Sequence, residues 1–239
     1  FRGTSQQEFD HLIGIFHELE QPVYIADYEH LGVYACRILV PGMSDIYPVE
    51  DLLLANNTMG AHLREVILAL PSLEWNAEQY MALFDQLDEE GHDERTRVRE
   101  LLGIAAAKGS ALHTLRIGEL KAMLALAAGD LESALDLIDW TMEFNQSVFP
   151  ADRAAYYRAL RACVELFLDE ERDPEQYRPV FARMFGEETL AQAWANARGE
   201  ARFHGLEAAD LSLSQFPLHQ KLLAAYEKLQ KAKRIHTWN

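Results

Sequence analysis

Chemistry in a sequence begins with side chains that can carry charge, a nucleophile or a metal. The densest such cluster is EEGHDE, Glu89–Glu94, in which His92 stands among Glu89, Glu90, Asp93 and Glu94. Imidazole and carboxylate oxygens are zinc ligands, but a helical zinc site of the usual kind brings two histidines onto one face. Here there is one, in a polar segment with Gly91 at its centre, and the segment reads as a solvated loop between helices. The other histidines, His11, His17, His30, His62, His113, His204, His219 and His236, are scattered, and none forms an HExxH pair. GxSxG and Cys-x-x-Cys are also absent. The only cysteines, Cys36 and Cys163, lie in separate segments. Cys163 shares a helical face with Tyr156, Leu160, Val164 and Phe167, which makes it a core residue, and Cys36 reads the same way within a strand. Pro41-Gly42 is a single turn without the glycines that wrap a phosphate. No residue is assigned to a catalytic, cofactor-binding or metal site.

Charge narrows the partners. There are 22 Lys and Arg against 38 Asp and Glu, a net charge of -16. Such a balance disfavours DNA and anionic membranes and suits a cytoplasmic protein. No apolar run approaches the ~20 residues of a membrane helix. The exception is the end: from Pro217 to Asn239 five cations (Lys221, Lys228, Lys231, Lys233, Arg234) face one acid, Glu227, leaving the remainder at -20. Leu222, Tyr226 and Leu229 make an apolar stripe there, so the last helix is expected to pack by that stripe with its lysines outward. The rival is contact with RNA or an acidic partner.

The elements that would position these groups are mostly helical. Thr4 or Ser5 can cap a first helix running to about residue 20, Ser5 with Glu8 forming a capping box. Phe9, Leu12, Ile13, Phe16 and Leu19 recur on one face of it. Strands follow at 23–28 and 33–40. In the second, Tyr34, Cys36, Ile38 and Val40 alternate with Val33, Ala35, Arg37 and Leu39. Both faces are largely apolar, which describes a strand buried on both sides and implies a larger sheet than this chain contains. The opening FRGTSQQEFD, without an initiator Met, reads as part of something longer. Beyond Pro41-Gly42 the expected helices lie near 49–56, 59–70, 76–89, 93–107, 111–128, 131–145, 151–169, 174–185, 187–204 and 216–234.

Within that run, Gly118–Gln146 has the tetratricopeptide (TPR) layout. Ala122 and Ala125 precede a Gly129-Asp130 turn, and Ala134, Leu135, Ile138 and Thr141 follow it. Ala151–Gly186 can be read as a degenerate second pair. The fold class is therefore mostly α, TPR-like antiparallel helical hairpins, preceded by a short α+β fragment of one helix and two strands. The boundary falls at 1–50 against 51–239.

The stretch PVYIADY, a short connection, then GVYACRILVPGMSDIYPVEDLLLANN resembles the end of the YcaO domain. The matching residues are Gly32, Val33, Tyr34, Arg37, Val40, Pro41 and Gly42. The resemblance implies that residues 1–50 close an ATP-binding domain and that the rest is a helical extension. YcaO proteins use ATP and magnesium to phosphorylate a backbone amide oxygen. Members make azolines, thioamides or macrolactamidines, and stand-alone members are linked to beta-methylthiolation of a small-subunit ribosomal protein as accessory factors to the radical enzyme RimO. The family's ATP- and magnesium-binding residues have no counterpart in this chain, so none is carried over. Azoline-forming members end in a proline-rich tail, whereas this chain ends KRIHTWN with no proline after Pro217. The reading is a module that is itself non-catalytic and that holds a homodimer together or docks RimO or the ribosomal protein. The alternatives are a fragment that completes an active site through Arg37 or the Asp45–Glu50 turn, and an RNA-docking module using the basic last helix.

Overall fold

The computed structural model describes residues 3–40, 60–145 and 148–235, with backbone alone for 226, 229, 230 and 232–235. The expected helix at 49–56, Pro41-Gly42, the Asp45–Glu50 turn and His236 lie outside the described residues. The chain forms two units, residues 1–56 with 222–239, and residues 57–221.

In the first unit, helix α1 (Ser5–Glu18) is capped by Thr4. The Thr4 hydroxyl accepts from the Gln7 amide at 3.3 Å, and the Gln7 side chain accepts from the Thr4 amide at 3.0 Å. The expected Ser5–Glu8 box is thus displaced by one residue; the same reciprocal bonding is available one step earlier, through T-x-x-Q. Strands β1 (Tyr24–Asp27) and β2 (Cys36–Leu39) pair antiparallel with Tyr24 opposite Leu39 and Asp27 opposite Cys36. Asp27 accepts from the Glu29 amide at 2.8 Å, and Gly32 supplies the left-handed φ of 75° that ends the connecting 3-10 turn.

The two-sided burial expected of β2 is not found. Cys36, Arg37 and Ile38 are exposed and Leu39 only half-buried. An apolar strand is buried only if layers lie over it, and among the described residues this sheet has two strands. Cys36 is accordingly exposed rather than core.

The second unit is all helix: α2 (Arg64–Ala69), α3 (Ala77–Glu89), α4 (Val98–Leu101), α5 (Ala111–Thr114), α6 (Ile117–Ala128), α7 (Leu131–Asn145), α8 (Ala151–Leu168), α9 (Pro174–Phe185) and α10 (Glu187–Ala197). The last helix, α11 (Pro217–Ile235), starts in it. Three expected helices come out differently. The 93–107 segment holds only the single turn of α4, and 111–128 is broken between Thr114 and Ile117. The cause is a short antiparallel bridge of Arg97 with Arg116. The Val98 amide donates to Leu115 O at 2.9 Å and Ile117 to Thr96 O at 3.0 Å. Extended backbone at Arg97 and Arg116 satisfies polar groups that a continuous helix would bond internally. The segment expected as 187–204 stops helically at Ala197.

Helix α6 organises this unit. Its sequence, IGELKAMLALAA, is apolar nearly all round, and ten of its twelve residues are buried. Leu120, Met123 and Leu124 enter one core cluster with Ile67, Tyr80, Leu83, Leu87, Leu102 and Phe203. Ala122, Ala125 and Leu126 enter a second with Ala134, Ile138, Leu160, Cys163, Leu190 and Trp194. Gly129, at φ 80°, closes α6 and turns the chain into α7 at the expected Gly129-Asp130. Cys163 is buried as expected, and burial pushes its thiol up to about 12, which makes it inert as a nucleophile. Leu222, expected to face inward on the last helix, is half exposed, while the side chains of Tyr226 and Leu229 lie outside the described set.

Gly118 permits the α6–α7 contact, because a β-carbon there would stand 2.5 Å from the Trp140 ring. Gly118→Ala is expected to destabilise by about 1–3 kcal/mol through overpacking, despite Ala's better helix propensity. Urea unfolding measures this, and an unchanged or raised midpoint would refute the packing argument.

Candidate functional site

Two charged side chains sit on the otherwise apolar α6, and each requires a partner. Glu119 is at the third position of the helix and Lys121 two residues on. Side chains two apart on a helix point to different sides of it, so each meets a different neighbour.

Lys121, its side chain 6% exposed, donates to Asp88 at 2.7 Å and Glu94 at 2.9 Å. Its ammonium lies 4.8 Å from the centre of the Phe84 ring. Desolvation pushes the amine down, but hydrogen bonds to Asp88 and Glu94 outweigh it and the group stays charged. The Glu89–Glu94 segment is therefore more than solvated loop: Glu94 anchors the central helix. Glu90 bonds both His62 and His92 at 2.8 Å, and also Gln86. Among the described residues no group of three or more His, Cys, Asp or Glu is placed to hold a metal ion.

Glu119 is fully buried. Arg153, three residues into α8, pairs with its Oε1, and the Tyr157 hydroxyl donates to the same oxygen at 2.5 Å. The guanidinium also donates to the Thr114 hydroxyl at 2.8 Å and lies over the Phe149 ring at 4.6 Å. Desolvation pushes the Glu119 carboxyl up, opposed by the Arg153 charge and the Tyr157 hydrogen bond. Burial likewise raises the hydroxyls of Tyr156 and Tyr157, keeping both neutral. Among the described residues Glu119 Oε2 has no hydrogen-bond partner.

This network floors a cleft of about 810 Å³ walled by α5, α8, α10 and the 108–110 and 204–205 loops. Its aromatic wall is Tyr156 stacked on His204, ring centres 3.8 Å apart and 16° from parallel. Burial, then the nearby Arg153 charge, lower the His204 pKa, so the imidazole is neutral at pH 7. The hydroxyls of Ser110 and Thr114 are engaged with Ala107 O and Arg153. No hydrogen bond among the described residues joins a lining hydroxyl to His113 or His204. Glu119 has no solvent access. Glu119 lies behind the cleft wall, while Arg153, Tyr156, Tyr157 and His204 line it.

None of Glu119, Lys121, Arg153 or the Tyr156–His204 stack was singled out from sequence as a site. Arg37 is on exposed β2 in the first unit and takes no part in this cleft.

Residues 60–235 match the family described as the YcaO cyclodehydratase C-terminal domain. The chain belongs to that family. It is 60% identical over 233 residues to the ribosomal protein S12 methylthiotransferase accessory factor YcaO of Escherichia coli, covering 98% of this chain and 40% of that protein. A Haemophilus influenzae protein is 52% identical over 235 residues, with the same coverage of 98% and 40%. The chain thus spans about two-fifths of the length of the curated relatives it matches. No helix among the described residues is long and apolar enough to cross a membrane.

Two consequences can be measured. Removing Arg153 leaves Glu119 buried and uncompensated, so Arg153→Met should cost about 3–5 kcal/mol, with Glu119→Gln in the same chain restoring part of it. A double variant no more stable than Arg153→Met alone would show that the pair is not coupled. Desolvation raises Glu90, but hydrogen bonds from His62, Gln86 and His92 hold it at about 2, below its ordinary 4.5. A carboxyl depressed on folding contributes stability that is complete above pH 4.5 and lost as the pH falls toward 2. Replacing Glu90 with Gln should therefore flatten the acid limb of stability over that window, read by urea titration at each pH.

Proposed function

We propose that this chain is the helical, non-catalytic end of a YcaO-type ATP-using protein, serving self-association or partner docking in the methylthiolation of a small-subunit ribosomal protein. The observation that carries the reading is the 60% identity, over 98% of the chain, to a protein named as an S12 methylthiotransferase accessory factor. The physical character of the chain supports it. Its cleft is lined by exposed Lys108, Asp152, Glu188 and Gln192, side chains able to bind a partner. Its first unit displays the surface of a piece that packs on further protein. Phe9, Leu12, Ile15 and Leu19 on or beside α1, with Tyr24, Ile25, Tyr34 and Ile38 on or beside the strands, are all exposed large apolar side chains. Patches of that kind are covered in working assemblies. In the intact protein residues 1–50 would close the ATP-binding domain, whose remainder would cover these side chains and hold the ATP and magnesium. The working location would be the cytoplasm, and the partners a second copy, the methylthiotransferase and its ribosomal substrate.

The isolated chain should sediment as a dimer and should bind the purified S12 methylthiotransferase, while titration calorimetry with ATP and magnesium shows no saturable heat. A monomer with no affinity for the methylthiotransferase would overturn the docking role. Saturable ATP binding would favour the rival in which this segment completes an active site.

A further inference from the structure

The cleft above α6 has a charge pattern the docking role leaves unexplained. Three cations line it, but two are engaged: Arg153 by Glu119, and Arg97 by Glu100 at 3.1 Å. Lys108 is left, on the 108–110 loop. The same cleft is lined by Asp152, in the first turn of α8, and Glu188, in the first turn of α10, both exposed. Neither has an ion-pair or hydrogen-bond partner among the described residues. Thr189 and Gln192, also from α10, bring an uncommitted hydroxyl and side-chain amide to the same wall. Acids in a first turn need no ligand to account for them, since the helix dipole favours them there. Their convergence on a large cleft with a stacked aromatic wall needs a further reason.

We propose that the cleft between α5, α8 and α10 receives an extended Lys- or Arg-bearing segment of a protein partner. This inference rests on the docking reading and gives it a place and a chemistry. A cation entering the cleft can meet the exposed carboxylates of Asp152 and Glu188, which both line it. The imidazole presents no competing charge at neutral pH. Gln192, Thr189 and the backbone of the 108–110 loop supply the donors and acceptors an extended backbone needs. Lys108, also on the lining, can take a carbonyl or carboxylate of the segment. Residues 57–221 contain 16 Lys and Arg against 28 Asp and Glu, a net charge of -12, which steers a basic segment toward the unit as a whole. A small anion fits less well, because among the described cations of the cleft only Lys108 is unpaired to receive it.

The test uses the whole chain and two fluorescent peptides of about nine residues, roughly 30 Å long when extended. One carries Arg and Lys among neutral residues, the other Glu in their places. Anisotropy should show saturable binding of the basic peptide only. Asp152→Asn with Glu188→Gln should weaken it by about tenfold or more, and Gln192→Arg, which places a cation on the same wall, should do the same. The control pair Glu132→Gln with Asp136→Asn removes two acids from α7, outside the cleft, and should leave the affinity within about twofold. Equal loss in the control pair would mean diffuse attraction and overturn the cleft assignment, as would preference for the acidic peptide. Circular dichroism melts confirm that each variant is folded. If the chain binds the methylthiotransferase but not the basic peptide, the cleft assignment fails and the docking role stands. If the peptide binds in the cleft but the chain neither self-associates nor binds the methylthiotransferase, the docking role fails and the cleft stands.

Discussion

The second unit depends on a helix that has no solvent side. Once α6 is enclosed by both core clusters, any ionisable residue on it must be neutralised by its neighbours, because an unpaired buried charge costs several kcal/mol even after relaxation. Glu119 and Lys121 impose that requirement in two directions. Lys121 fixes the end of α3 and the loop at Glu94; Glu119 fixes the start of α8 through Arg153 and Tyr157. Replacing such pairs by apolar residues can be neutral or stabilising in other proteins, so their presence does not measure stability. What they supply is register. A helix that slid by one residue would leave both charges without partners, whereas Leu and Ala could repack.

The same constraint explains the break at Leu115-Arg116. Arg116 donates through Nε to Asn145 at 2.9 Å and through a second nitrogen to Arg95 O. Asn145 is itself buried and donates to Thr141 O. The extended backbone that brings Arg116 to Arg97 also lets its side chain tie the end of α7 to the Arg95 segment. These polar contacts reach across 29 and 21 residues of chain, joining parts that the apolar clusters alone would leave free to shift.

Local signals were the readable ones. The α6–α7 pair and its Gly129 turn, the long α8 and the break at Gly186 all follow from periodicity and from glycine's tolerance of positive φ. Residues 93–116 were not legible that way, because their shape is set by a bridge to another segment and not by their own propensities. Alternation in β2 tells which residues prefer to be covered; the sheet that would cover them was expected outside this chain, and β2 is exposed here. The Glu119–Arg153 network had one available signal, two charges inside a run otherwise made of Ile, Leu, Met, Ala and Gly. The cation that answers Glu119 lies 34 residues away and has no sequence signature.

A buried acid, two tyrosines with raised pKa and a neutral histidine beside a cleft would ordinarily suggest proton-transfer chemistry. For Glu119 geometry decides otherwise. General acid–base catalysis requires the titrating atom within hydrogen-bond reach of substrate, and Glu119 stands behind Arg153 and Tyr157 with no exposure. Burial perturbs its proton affinity because the carboxyl is structural, whereas Lys108, Asp152, Glu188 and Gln192 on the cleft lining are exposed. The buried Glu119–Arg153–Tyr157 network holds the lining of the cleft still, while its exposed polar side chains stay free to exchange water for a partner.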